Sequence, residues 1–134
     1  MPAPGRRRPT RRKGSFSAAL LAVLTKGTSL RIRAGERHRF IGIWMVVVGG
    51  RLFVRSWSLK PQSWWRAFLV RPVGAIQVAG RAVPVRAIQT RSERLNDAVS
   101  RAYLEKYGTG AMRRYARDLG SPKSRATTTE LVPL

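Results

Sequence analysis

The chain has 134 residues, of which 27 are Lys or Arg and 6 are Asp or Glu, giving a formal charge of +21. That length fits one domain, and hydrophobic residues, 43% of the total and clustered mid-chain, suffice for one core. With no Cys and one His, disulfides, cysteine nucleophiles and the usual zinc sites are excluded; nothing points to an oxidising compartment, and a cytoplasmic location is expected.

Residues Met1–Gly14 set six basic side chains, Arg6, Arg7, Arg8, Arg11, Arg12 and Lys13, among Pro and Gly. They offer nothing to bury and are expected to form a disordered basic tail. Without those six the charge is still +15, so the rest of the chain is basic too. Such an excess attracts polyanions, above all through Arg6–Lys13, without reading their sequence. The plainer account is an Arg-rich composition with no specific partner. Ala18–Leu24 (AALLAVL) follows the basic start, as in a secretory leader. It lacks a small-x-small cleavage site, and seven residues fall far short of the ~20 that span a bilayer. An amphipathic helix is expected instead, capped by Ser15, ended by Gly27, with Phe16, Leu20, Val23 and Leu24 on one face.

A β-rich region comes next. Ser29–Arg33 alternates as a short strand, and Arg39–Val48 (RFIGIWMVVV) is an apolar strand expected to be buried on both faces. Gly49–Gly50 turns it into a return strand at Arg51–Trp57. Leu59–Pro72 reads as a helix with Pro61 in its first turn and Trp64, Trp65, Phe68 and Leu69 on one side. A second hairpin follows: Val73–Ala79, a turn at Gly80–Arg81, then Ala82–Thr90, with Pro84 calling for an edge or a bulge. Ser92 opens a helix that Gly108 ends, with Leu95, Ala98, Val99, Ala102 and Tyr103 at helical spacing. Ala111–Leu119 suggests a short helix, Ser121–Arg125 a loop, and Ala126–Val132 a last strand.

Three features carry a resemblance. The pairing of Arg39–Trp57 with Trp64–Trp65, the AY-x-x-KY run at Ala102–Tyr107 and RATTTELVP at Arg125–Pro133 resemble a small bacterial family of unknown function over about residues 16–133. The middle of the chain is also similar to the split β-barrels. These are the flavin- and pyridoxamine-phosphate-oxidase-like proteins, especially the deazaflavin-dependent nitroreductases. There Lys60, Pro61 and Trp64 stand where those proteins have a Lys-x-Pro-x-Trp segment. Their Gly-Arg-x-Ser-Gly turn is not kept: Gly35–Arg39 has no Ser-Gly. The resemblance implies a mainly β, α+β fold. It is a six-stranded split β-barrel over 15–134, with an N-terminal helix, a helix linking two hairpins and C-terminal helices before a last strand. It further implies a homodimer and a bound phosphorylated cofactor, FMN or a deazaflavin, in a redox protein whose chemistry belongs to the cofactor.

The candidate site follows from the residues themselves. Arg55 to Pro61 runs off a strand into a helix start, where free N–H groups favour an anion. Arg55 and Lys60 add charge, Ser56 and Ser58 hydroxyls, and Trp57, Trp64 or Trp65 an aromatic wall. Arg33, Arg37 and Arg39 would close over a phosphate. The alternatives stay open: the tryptophans as core or dimer contact, Arg55 paired with Glu93 or Asp97, and Lys60 merely solvated. His38 has no evident orienting partner, so no catalytic side chain is assigned. Two other readings stand beside the cofactor protein: a cofactor-free structural dimer, and a non-specific nucleic-acid-associated protein.

Overall fold

A computed structural model describes residues 15–57, 60 and 63–134. The expected tail at Met1–Gly14, and Ser58 and Pro61 of the candidate site, lie outside the described residues. Six antiparallel strands are formed: β1 (Ser29–Ala34), β2 (Ile41–Val48), β3 (Arg51–Val54), β4 (Val73–Val78), β5 (Arg81–Gln89) and β6 (Thr129–Pro133). They close into a barrel in the order β1-β2-β3-β6-β5-β4. Helix α1 (Ala18–Lys26) precedes the barrel, α2 (Trp64–Val70) links the hairpins, and α3 (Glu93–Tyr107), α4 (Arg113–Asp118) and α5 (Pro122–Arg125) come before β6.

The turns are set by backbone chemistry. Gly49 and Gly50 both take positive φ, 58° and 77°, the twist a two-residue hairpin needs. The second hairpin turns at Ala79–Gly80, one residue earlier than expected, because Ala79 itself adopts φ 52°. Pro84 sits in a strand with neighbours on both sides, so the expected sheet edge is not found. Its missing donor costs little, however. Pro84 C=O accepts from Leu134 N–H, just beyond the Val85–Pro133 pair at the end of β6, so the imide nitrogen faces the ladder's end.

Strand β2 is buried on both faces only along its second half; Ile41 and Gly42, expected to be buried with the rest of the run, are exposed. Met45 lies in the barrel core with Ile43 and Val47 packed against it, beside Ile32, Leu52, Ile76, Val85 and Leu131. Val46 faces outward with Phe53, against Val99, Tyr103 and Tyr107 of α3 and Ala116 and Leu119 of the C-terminal segment. Helix α1 is capped by Ser17 rather than Ser15, and Val23 is exposed. Phe16 and Leu24 enter the barrel core, as do Trp64 and Phe68 of α2. Gly74 makes room for α2: a Cβ there would strike the Arg33 carbonyl and the Phe68 ring.

Other boundaries differ from the sequence reading: β2 begins at Ile41 rather than Arg39, and β3 ends at Val54 rather than Trp57. Helix α2 begins at Trp64 with Ser63 as its cap, leaving two turns in which Leu69 is exposed. Ser121–Arg125 is not a loop: Ser121 caps a one-turn helix with Pro122 in its first turn. Strand β6 begins at Thr129 because Thr127 and Thr128 are drawn into side-chain bonds.

Candidate functional site

Strands β2 and β3 part company halfway. They pair only from Met45–Val54 to Val48–Arg51. Val48 and Arg51 flank the two-residue turn, so even-numbered residues of β2 direct their N–H and C=O toward β3. The next pair in sequence would be Trp44 with Arg55. The Tyr103 hydroxyl stands at this position instead, close to the Arg55 backbone and donating to Trp44 O at 3.1 Å. Beyond that wedge β3 turns away toward the C-terminal segment. Ser56 N–H donates to Thr127 Oγ1 at 2.8 Å, and Ser124 Oγ donates to Ser56 O at 3.0 Å.

The opening holds a cavity of about 500 Å³. One bank is Ile41–Trp44 and the other is Arg55, Ser56 and Trp57. Lys60, Ser63 and Trp64 line it from the linking segment, and Tyr115 and Leu119 from the C-terminal side. Its walls are largely aromatic and aliphatic. Trp44 stacks on Tyr107 at 4.5 Å, and Tyr115 meets the edges of Trp44 and Trp57 at 6.0 and 5.6 Å. Trp57 is 58% exposed, and Lys60 is exposed.

Arg55 has a different setting from either one expected. It is buried, and its guanidinium donates to Thr128 Oγ1, Ser100 Oγ, Leu119 O and Asn96 O, all within 2.9 Å. Desolvation lowers its pKa to about 10. Glu93 and Asp97 pair with Arg125 instead, at 2.6 and 2.8 Å. Arg55 thus builds one bank of the cleft rather than reaching into it with a free fork. Ser56 is likewise buried in the bank.

The two sequence runs that carried the family resemblance build this site from behind. From Ala102–Tyr107, the Tyr107 hydroxyl donates to Thr28 O and receives Met45 N–H at 3.2 Å, capping the β1–β2 ladder as Tyr103 caps β2–β3. Lys106 Nζ reaches Leu24 O and Met45 O at 3.3 Å. From Arg125–Pro133, Thr127 and Thr128 hold Ser56 and Arg55, and Glu130 takes the Arg51 guanidinium on both oxygens at 2.7 and 2.9 Å. Trp65 plays no part in the cleft; its Nε1 donates to Gln89 Oε1 at 2.8 Å.

Of the arginines expected over a phosphate, Arg33 and Arg39 line a second cavity of about 240 Å³, with His38. Ile41 and Trp64 line both cavities, so the two adjoin. Arg33 lies over the Phe40 ring at 4.4 Å, and its Nε is buried with no hydrogen-bond partner among the described residues. Arg37 lines neither: it lies in a third groove with Glu36, Arg66 and Arg71, which shares Ala34, His38 and Ala67 with the second cavity. The helix start is also weaker than expected, since α2 has only two turns and Ser63 Oγ already accepts Arg66 N–H.

Residues 23–131 match a family described as an uncharacterized protein conserved in bacteria, DUF2255. The chain belongs to that family. No protein of curated function matches its sequence significantly. Among solved structures, a conserved hypothetical protein from Mycobacterium tuberculosis aligns over 95% of this chain and 85% of its own, with 11% identity and a TM-score of 0.56. A FAD-binding protein from Mesorhizobium loti aligns over 89% of each chain, with 17% identity and a TM-score of 0.47. At 11% identity the first likeness is one of fold. Among the described residues no helix is long and apolar enough to cross a membrane.

Proposed function

We propose that this DUF2255 protein binds a flavin or deazaflavin phosphate, with the flat ring in the cleft between β2 and β3. The observation that carries the reading is the open cavity beside Lys60. Its volume of about 500 Å³ falls in the range of small-molecule sites, and its walls are aromatic with few polar groups. A barrel without a ligand would fill this space with Trp57 and Trp65. Trp65 is instead bound to Gln89, and Trp57 stands half in solvent.

The residues suit such a group in two parts. Trp44, Trp64 and Tyr115 offer faces and edges to a ring. The adjoining cavity supplies Arg33, whose buried Nε still needs an acceptor, and Arg39 for a phosphate. Lys60 lies on the cleft's margin, where it attracts the anion by charge. Arg37 is left out of the assignment. When bound, the ring supplies the redox chemistry, and the protein's part is to hold it and exclude water. In the same reading two copies associate, which sedimentation equilibrium checks.

The test is a titration of the full chain with FMN and with a deazaflavin mononucleotide, followed by quenching of tryptophan fluorescence. Saturable binding is expected, and Lys60→Ala should weaken it about tenfold, the worth of one charge-assisted contact. No binding of either up to high micromolar concentration would overturn the reading.

A further inference from the structure

The bank of the cleft formed by β2 is an unpaired sheet edge, and this gives it a chemical preference. Leu30 pairs with Ile43 and Ile32 with Ile41 in β1, and these odd-numbered residues of β2 turn their peptide groups to β1. The even-numbered ones turn the other way. Trp44 O is taken by Tyr103, but Gly42 lies past the wedge, where β3 has left the sheet. Its N–H and C=O therefore face across the cleft, and among the described residues no strand lies opposite. Gly42 lines the cavity, and a Cβ built on it would meet nothing within 4 Å.

We propose that Gly42 reads the hydrogen-bonding edge of the ring, and that the cleft selects flat heterocycles carrying a C=O beside a ring N–H. This deepens the flat-ring reading of the cleft and rests on it. A strand residue with a free edge offers one donor and one acceptor in the sheet plane, the pair that an antiparallel neighbour would use. A cis-amide ring edge presents the complementary acceptor and donor. Such a ring takes the place of the missing stretch of strand. Its faces then meet the side chains that β2 sends to either side of the sheet: Ile41 and Ile43 toward the barrel, with Trp64, and Trp44 toward the helices, with Tyr115. The cleft is walled on both sides and open in the plane between, as an inserted ring requires. Charge at Lys60 and shape alone would admit any flat anion; the Gly42 pair would not.

The experiment titrates the full chain with lumiflavin, 3-methyllumiflavin, lumazine, 1,3-dimethyllumazine and phenazine, read by tryptophan quenching. Lumiflavin should bind at least about tenfold more tightly than its 3-methyl form or phenazine, since a lost hydrogen bond leaves the Gly42 carbonyl facing a methyl group. Gly42→Pro removes an N–H that no strand uses, and should lose about tenfold for lumiflavin and nothing for phenazine. Equal binding of 3-methyllumiflavin or phenazine would overturn the inference while leaving the cleft a flat-ring site. Binding of lumazine but of neither 1,3-dimethyllumazine nor lumiflavin would end the flavin reading and support the edge at Gly42. Failure of every amide-edged ring would overturn both.

Discussion

Arg55 is out of water, and none of its four hydrogen-bond acceptors is a carboxylate. A buried cation held by neutral oxygens gives up hydration without recovering a full ion pair, which is why its pKa falls to about 10. What it gains is geometry. The planar fork ties β3 to Thr128 before β6, to Asn96 and Ser100 of α3, and to Leu119 after α4. Arg55→Lys keeps the charge but cannot span these acceptors with one ammonium. A loss of roughly 2–4 kcal/mol is expected in urea unfolding, since several buried acceptors are left unmet. A loss well below that would mean the fork holds little together. Nothing in the sequence announced this role. Arg55 stands in an ordinary strand context, and its partners are 41 to 73 residues away.

At the level of elements, Tyr103 decides where the sheet opens. Its hydroxyl occupies the position of one backbone hydrogen bond between Trp44 and Arg55, and β2 and β3 diverge from there. Tyr103→Phe removes the wedge and lets the two strands pair one step further. The expected outcome is a narrower cleft, ring binding weakened about tenfold and slower hydrogen exchange at the Arg55 amide, at a stability cost of about 1 kcal/mol. Unchanged ring binding would show that the wedge does not set the cleft.

The helical spacing of α3 made Tyr103 legible as a buried position, and glycine chemistry made the Gly49–Gly50 turn legible. What no local pattern encodes is the target of a buried hydroxyl on a strand some 60 residues away. Periodicity tells which face is apolar and is silent on polar tips. The one-turn helix α5 is a different kind of miss. Ser121 followed by Pro122 is a helix-start signal that the reading of this segment as a loop left unused. The candidate site was legible in half: Arg55, Ser56, Trp57, Lys60 and Trp64 meet at one cleft. The division of the three arginines between neighbouring cavities depends on how the Gly35–Arg39 turn leaves the barrel, and its spacing does not give that.

For the molecule as a whole, the excess of 21 positive charges gives a physical property that is independent of any pocket. Binding to duplex DNA or heparin should weaken steeply with salt. Removing residues 1–13, with their six basic side chains, should lower the log–log salt slope by up to about 5. An unchanged slope would locate the polyanion contact on the barrel instead. The order of the staves carries a kinetic consequence as well. Each hairpin can form locally, but β6 must slot between β3 and β5, joining Leu52 to Leu131 across most of the chain. Closing that long loop costs entropy before the ring of hydrogen bonds repays it. The cylinder is therefore expected to close late in folding. Substitutions in the last strand should leave the folding rate nearly untouched and speed unfolding.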